Sequence, residues 1–176
     1  MNMNRTGKPG FSIGSFGTLA LVGMALIAAL MLAAPKAVGA AEARVVYHAD
    51  FADPRRFSSM LTSINNMVMH YDNEFMDYDV RIVFVAHGIR FVTDDALAGT
   101  PFEEDDRLRE DRDTLRGRML SLNSLHNVRL ELCEVTREAI QLSSDEVYDA
   151  VEFIPSGVVR IAELQNDEGF AYIKVE

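Results

Sequence analysis

Cysteine occurs once in the 176 residues, at position 133. One thiol cannot close a disulfide within the chain, and it rules out zinc or iron–sulfur centres built on several thiolates. Cys133 is left with three roles: a small structural residue, a link between chains, or a reactive thiol. Basic residues are scarce as well, 17 Lys and Arg against 27 Asp and Glu. That surplus of acid argues against nucleic acid or anionic lipid as a partner and suits a basic one. No nucleophile elbow, phosphate-binding glycine loop, dinucleotide fingerprint or zinc motif is present, so neither a cofactor nor a metal is expected. No internal repeat is visible.

One stretch lacks charge altogether. Phe11 to Ala34 runs uncharged between a weakly basic start, Arg5 and Lys8, and the pair Pro35-Lys36. Its length matches a bilayer span of about 20 residues. Ala37-Val38-Gly39-Ala40 then offers the small residues of a signal-peptidase site, with cleavage after Ala40, Ala41 or Ala43. Residues 1–40 therefore read as an export signal or, if uncleaved, as a membrane anchor through residues 11–34. Either way the basic start stays cytoplasmic and the domain at 44–176 is periplasmic. No twin-arginine pair is present, and no cysteine near the signal's end could carry a lipid. Losing residues 1–40 removes Arg5, Lys8 and Lys36, which leaves 14 basic against 27 acidic residues and takes the net charge from −10 to −13.

From residue 44 onward strand and helix alternate. Arg44 to His48 is a short apolar strand, and Asp53-Pro54 supplies an N-cap with proline at the first helical position. Phe57, Met60, Leu61, Ile64, Val68 and Tyr71 then make one apolar stripe, on a helix expected to end near His70. Val80 to Val85 is nearly continuous in apolar residues, as in a strand buried on both faces of a parallel sheet. It ends in Ala86-His87-Gly88, where glycine lets the backbone turn sharply or approach a ligand. Thr100-Pro101-Phe102-Glu103 reads as a capping box that opens a helix running to about Leu125. The first half of that helix, Glu103 to Arg116, is nearly all charged and reads as a solvated face. Val128 to Val135 is the third strand, Thr136 to Ile140 a short helix, and Ser143 to Glu146 a turn. Val151 to Ile154 is the fourth strand, Val158 to Glu168 a helix and Phe170 to Val175 the fifth strand. About five alternations predict an α/β fold: an open, mainly parallel five-stranded sheet with helices on both faces.

In such a sheet the loops after strands two, three and four meet on one rim, where ligands gather. They carry His87-Gly88, Cys133 and Ser156-Gly157. Along the third strand Val128, Leu130 and Leu132 share one face, and Arg129, Glu131 and Cys133 the other. A thiol works as thiolate, which a helix start or a cation favours and the nearby Glu131 and Glu134 oppose. Taken by itself the strand favours an inert buried cysteine. His87 and His48 are candidate proton partners, although a histidine at a strand end is more often structural. Ser156-Gly157 offers backbone N–H groups to an anion, or simply caps a helix.

The chain resembles the DsrE/DsrF-like (DsrEFH-like) family of small sulfur-relay proteins over about residues 44–176. The resemblance rests on Val45-Val46-Tyr47-His48, Val85-Ala86-His87-Gly88 and Leu130-Glu131-Leu132-Cys133. Its most specific part is Ile154-Pro155-Ser156-Gly157-Val158 with Ile161 to Gln165 and Gly169 to Lys174. It implies a five-stranded α/β domain assembled into a homo-oligomer, a trimer or hexamer, with Cys133 carrying sulfur as a persulfide. It further implies a sulfur donor or acceptor protein as partner, and Asn66 matches a position where members often carry asparagine. His87 would then shuttle a proton, and Gly88, Ser156, Gly157 and Asn66 would contact substrate. Two departures stand out: well-known members are cytoplasmic, and the segment Leu97 to Arg116 is longer and more charged than the usual connection. The resemblance favours a periplasmic sulfur carrier or sulfurtransferase. The alternative is a non-enzymatic oligomeric binding or scaffold module with a structural cysteine.

Overall fold

The computed structural model of the protein describes residues 43–176. The expected signal or anchor segment at 1–40 lies outside the described residues. Strand β1 (Ala43–Ala49) leads to helix α1 (Pro54–Asn73), which is opened as expected: Asp53 Oδ1 accepts the Arg55 N–H at 2.8 Å and Pro54 takes the first position. The stripe of Phe57, Met60, Leu61, Ile64 and Val68 is buried. The helix runs three residues beyond His70 and stops before Phe75, whose left-handed φ of 55° breaks the spiral.

Strand β2 (Tyr78–Phe84) passes into a 3₁₀ turn (Ala86–Phe91), and helix α2 spans Asp106–His126. The expected capping box at Thr100 does not start that helix. Its bonds close a turn instead, Thr100 Oγ1 accepting the Phe102 N–H at 3.1 Å and Glu103 Oε2 the Gly99 N–H at 2.9 Å. Asp105 is the cap, and Asn127 ends the helix in the left-handed region. Strand β3 (Arg129–Cys133), helix α3 (Glu134–Ala139), strand β4 (Val151–Ile154), helix α4 (Gly157–Asn166) and strand β5 (Ala171–Ile173) complete the order. β3 and β5 are shorter than the sequence pattern suggests: β3 stops at Cys133, level with the last residue of β4, and β5 pairs with β1 only from Ala171 to Ile173.

All five strands are parallel, in the order β4-β3-β2-β1-β5. From β1 to β4 the chain steps steadily one way. Only the connection through α4 turns back, across three strands, to place β5 beyond β1. Right-handed crossovers put a reversed connection on the opposite face. The packing agrees: α1 and α2 bury Tyr47, Ile82, Phe84, Leu130 and Leu132 on one side, while α4 packs Ile161 and Leu164 on Val46 and Val83 on the other. Cys133 belongs to the side that α4 covers. Among the described residues no helix is long and apolar enough to cross a membrane.

Candidate functional site

Cys133 is the last residue of β3 and the residue before α3. Its sheet partner is Ile154, the last residue of β4. The connections after these two adjacent strands diverge at this point, since the one after β4 reverses, and such a switch point is where open α/β sheets place ligands. The thiol is nevertheless nearly closed over, with Cys133 3% exposed. Gly157, which opens α4, is part of the cover. A Cβ there would stand 3.2 Å from Cys133 Cβ and 2.4 Å from Val85 Cγ2. Only glycine lets the helix start lie this close to the strand. Ser156 is the N-cap of α4, and its hydroxyl makes no capping bond.

The 3₁₀ turn lies beside this point. Ala86 donates its N–H to Thr136 Oγ1 at 3.0 Å, which ties the turn to α3. Gly88 touches the end of β1 so closely that a Cβ would fall 1.9 Å from the Ala49 carbonyl oxygen. A close backbone approach, not a ligand, accounts for that glycine. The His87 ring stands edge-on to Phe102 with centroids 5.2 Å apart, and its Nδ1 is buried without a partner. No hydrogen bond joins His87 to Cys133 among the described residues. His48 lies on β1, two strands from β3, and its Nδ1 is 3.4 Å from the Tyr172 hydroxyl. At ~4.8 Å per strand that puts it about 10 Å from the cysteine strand.

The structure therefore brings together Cys133, Ser156 and Gly157, with the His87-Gly88 turn adjacent. Asn66 stands apart. It is exposed on α1, twelve residues from the helix start, or about 18 Å back along the sheet from the rim. Helix geometry removes it from any direct contact with the rim.

Beneath α4 the sheet holds a charge cluster that sequence periodicity did not reveal. Glu131 is 2% exposed, and its Oε1 accepts from Arg81 Nη1 at 3.0 Å while Oε2 accepts from Arg160 Nε at 3.2 Å. Arg81 also donates to both oxygens of Asp79, at 3.0 and 2.7 Å, and Arg160 pairs with Glu168 at 3.0 Å. Burial pushes the Glu131 carboxyl above the ordinary carboxylate range, against the pull of Arg81. The available sign was Arg81 inside the run Val80–Val85. In a parallel strand Arg81 shares a pleat face with Val83 and lies across from Arg129, two residues before Glu131.

Nor is the start of α2 simply a solvated face. Arg112 reaches inward to donate to the carbonyls of Arg90 (3.1 Å) and Thr93 and to Glu104 Oε2 (2.6 Å). Buried Arg90 donates to the Glu103 carbonyl at 2.7 Å and Asp105 Oδ2 at 3.0 Å. Arg116 holds both oxygens of Asp94. These arginines fasten the loop 92–105 over the rim side of the fold. Tyr148, whose hydroxyl donates to Asp94 at 2.7 Å, has its phenol pushed up to about 12 by burial and by that carboxylate.

Comparison with known proteins bears on the fold and the family. The solved structure of the protein of unknown function MTH1491 from Methanobacterium thermoautotrophicum matches with a TM-score of 0.58 and 22% identity, covering 76% of this chain and 99% of that one. No curated protein matches in sequence. The family model described as DsrE/DsrF-like matches residues 45–175, well over half of the chain. The chain belongs to the DsrE/DsrF-like family.

Proposed function

We propose that the protein is a periplasmic sulfur carrier of the relay type, in which Cys133 takes a sulfane sulfur and holds it as a persulfide. Family membership favours a sulfur-relay role. The observation that carries the assignment to Cys133 is its position: the one thiol of the chain ends β3 at the switch point, against the start of α4. A persulfide is anionic at neutral pH, and the first N–H groups of α4 stand where its charge would be stabilised. His87, at the neighbouring turn, would take or return the proton. Export through residues 1–40, assembly into a trimer or hexamer, and transfer to or from a partner protein belong to the same proposal.

A second reading has one observation in its favour. Cys133 is 3% exposed, so a space-filling thiol in a non-enzymatic oligomeric module also accounts for the packing. The rate of Cys133 alkylation against pH in the folded full chain separates the two. The carrier reading requires reaction with the folded protein. Labelling that waits for unfolding would establish the second.

A further inference from the structure

On the face that α4 covers, a cleft of about 460 Å³ runs beside the helix, above β3 and β4. Its floor is the Arg81–Glu131–Arg160 cluster, already matched within the protein. Its rim is different. Arg129, Glu152 and Glu163 line the cleft, are exposed, and form no ion pair among the described residues. Ile154, Pro155 and Val159 give it an apolar wall at one end. That end lies level with Cys133, because Ile154 is the sheet partner of Cys133. Along β3, Arg129, Glu131 and Cys133 share one face, so the thiol lies about 7 Å beyond Glu131 on the same row.

Three features limit what fits. The volume is that of a small-molecule site. The lining balances three arginines with three glutamates, so it recognises neither a simple anion nor a simple cation. Unpaired groups of both signs at the rim, with an apolar end level with a thiol that the start of α4 covers, fit a ligand that carries a carboxylate, an ammonium group and a sulfur on a short stem.

We propose that this cleft binds a small dipolar thiol compound of the amino-acid type and presents its sulfur to Cys133. Its carboxylate meets Arg129, its ammonium meets Glu152 and Glu163, and its stem lies on Val159 and Ile154. The proposal rests on the sulfur-carrier reading and names the donor class for it. With the donor as a persulfide, R–S–SH, the Cys133 thiolate attacks the terminal sulfur. The donor S–S bond breaks, a Cys133 Sγ–S bond forms, and the donor leaves as a thiolate that takes up the proton Cys133 gave up. No outside oxidant or reductant is consumed.

The test compares two donors on the full chain, cysteine persulfide, which is dipolar, and inorganic polysulfide, which is not, with loading of Cys133 followed by intact mass. Arg129→Gln and Glu152→Gln, both on exposed side chains, are each expected to slow loading by cysteine persulfide about fivefold, the scale of one exposed ion pair. Loading by polysulfide should stay within twofold. Equal effects on both donors, or no effect on either, would overturn the cleft assignment and leave the carrier reading standing. If polysulfide fails to load the unmodified protein, the carrier reading fails, and binding of cysteine decides the cleft alone. Amide shifts confined to Arg129, Glu152 and Val159 would support it, and shifts elsewhere or none would overturn it.

Discussion

Replacing Gly157 with alanine tests whether the start of α4 holds Cys133 in place. The added methyl group would meet Val85 Cγ2 at 2.4 Å, Cys133 Cβ at 3.2 Å and Val83 Cγ1 at 3.3 Å, whereas ordinary contact begins at 3.4 Å. The worst overlap requires a shift of about 1 Å (3.4 − 2.4) in α4 or β2. Valine is stiff at χ1, so Val85 cannot simply swing aside. Overpacking of this kind costs about 1–3 kcal/mol, which lowers the urea midpoint by roughly 1 M. Because α4 covers the thiol, alkylation of Cys133 should also become faster. Gly117→Ala is the control, since its methyl group meets nothing within 4 Å in the middle of α2. It should gain about 0.5–1 kcal/mol from helix propensity and leave the thiol as it was. If Gly157→Ala keeps both the stability and the alkylation rate of the parent protein, the packing argument is wrong.

Glu131→Ala should destabilise the fold by about 3 kcal/mol in urea unfolding, the low end for a broken buried pair, because Arg81 keeps Asp79 and Arg160 keeps Glu168. A loss under ~1 kcal/mol would mean that the cluster is hydrated and contributes little. Burial holds the His48 imidazole below its ordinary value of 6.5, with Asp50 pulling up and Arg56 down. The unfolded chain then binds the proton more readily, so this contribution to stability is complete above pH 6.5 and is lost as pH falls through the folded value. His48→Gln should therefore flatten the decline in urea midpoint between about pH 7 and about pH 5, and an unchanged slope would contradict the burial argument. Arg112→Ala should speed hydrogen exchange across residues 92–104 while leaving α1 protected, since its bonds end on the Arg90 and Thr93 carbonyls and Glu104. Uniform acceleration would point to global loosening instead.

Much of the fold was legible because it rests on local patterns. The stripe from Phe57 to Val68 and the Asp53-Pro54 cap specify α1, and the apolar run of β2 announced a sheet buried on both sides. The start of α2 was misplaced because Thr100–Glu103 has the composition of a capping box. The same two side chains close a turn instead, accepting from the Phe102 and Gly99 N–H groups, and the competing cap, Asp105, differs from its acidic neighbours only in where the loop delivers it. The inward reach of Arg112 was hidden for a related reason: a long charged side chain on a helix reads as solvated until the loop it holds is in place. At the rim, the sequence order of β3 and β4 brought Cys133 and Ser156-Gly157 together, because parallel strands align their ends. Closure over the thiol was not legible, since it depends on how deeply one glycine lets α4 settle. Arg81 and Glu131 lie fifty residues apart, and only the register of β2 against β3 makes them a pair.

The most direct measurement is the intact mass of the folded full chain after exposure to inorganic polysulfide, with Cys133→Ser alongside. The account predicts one added sulfur per chain on the parent protein, removable by a thiol reductant, and none on the variant. A parent protein that gains sulfur only after unfolding, or gains it equally without Cys133, would contradict the claim that this thiol is the carrier.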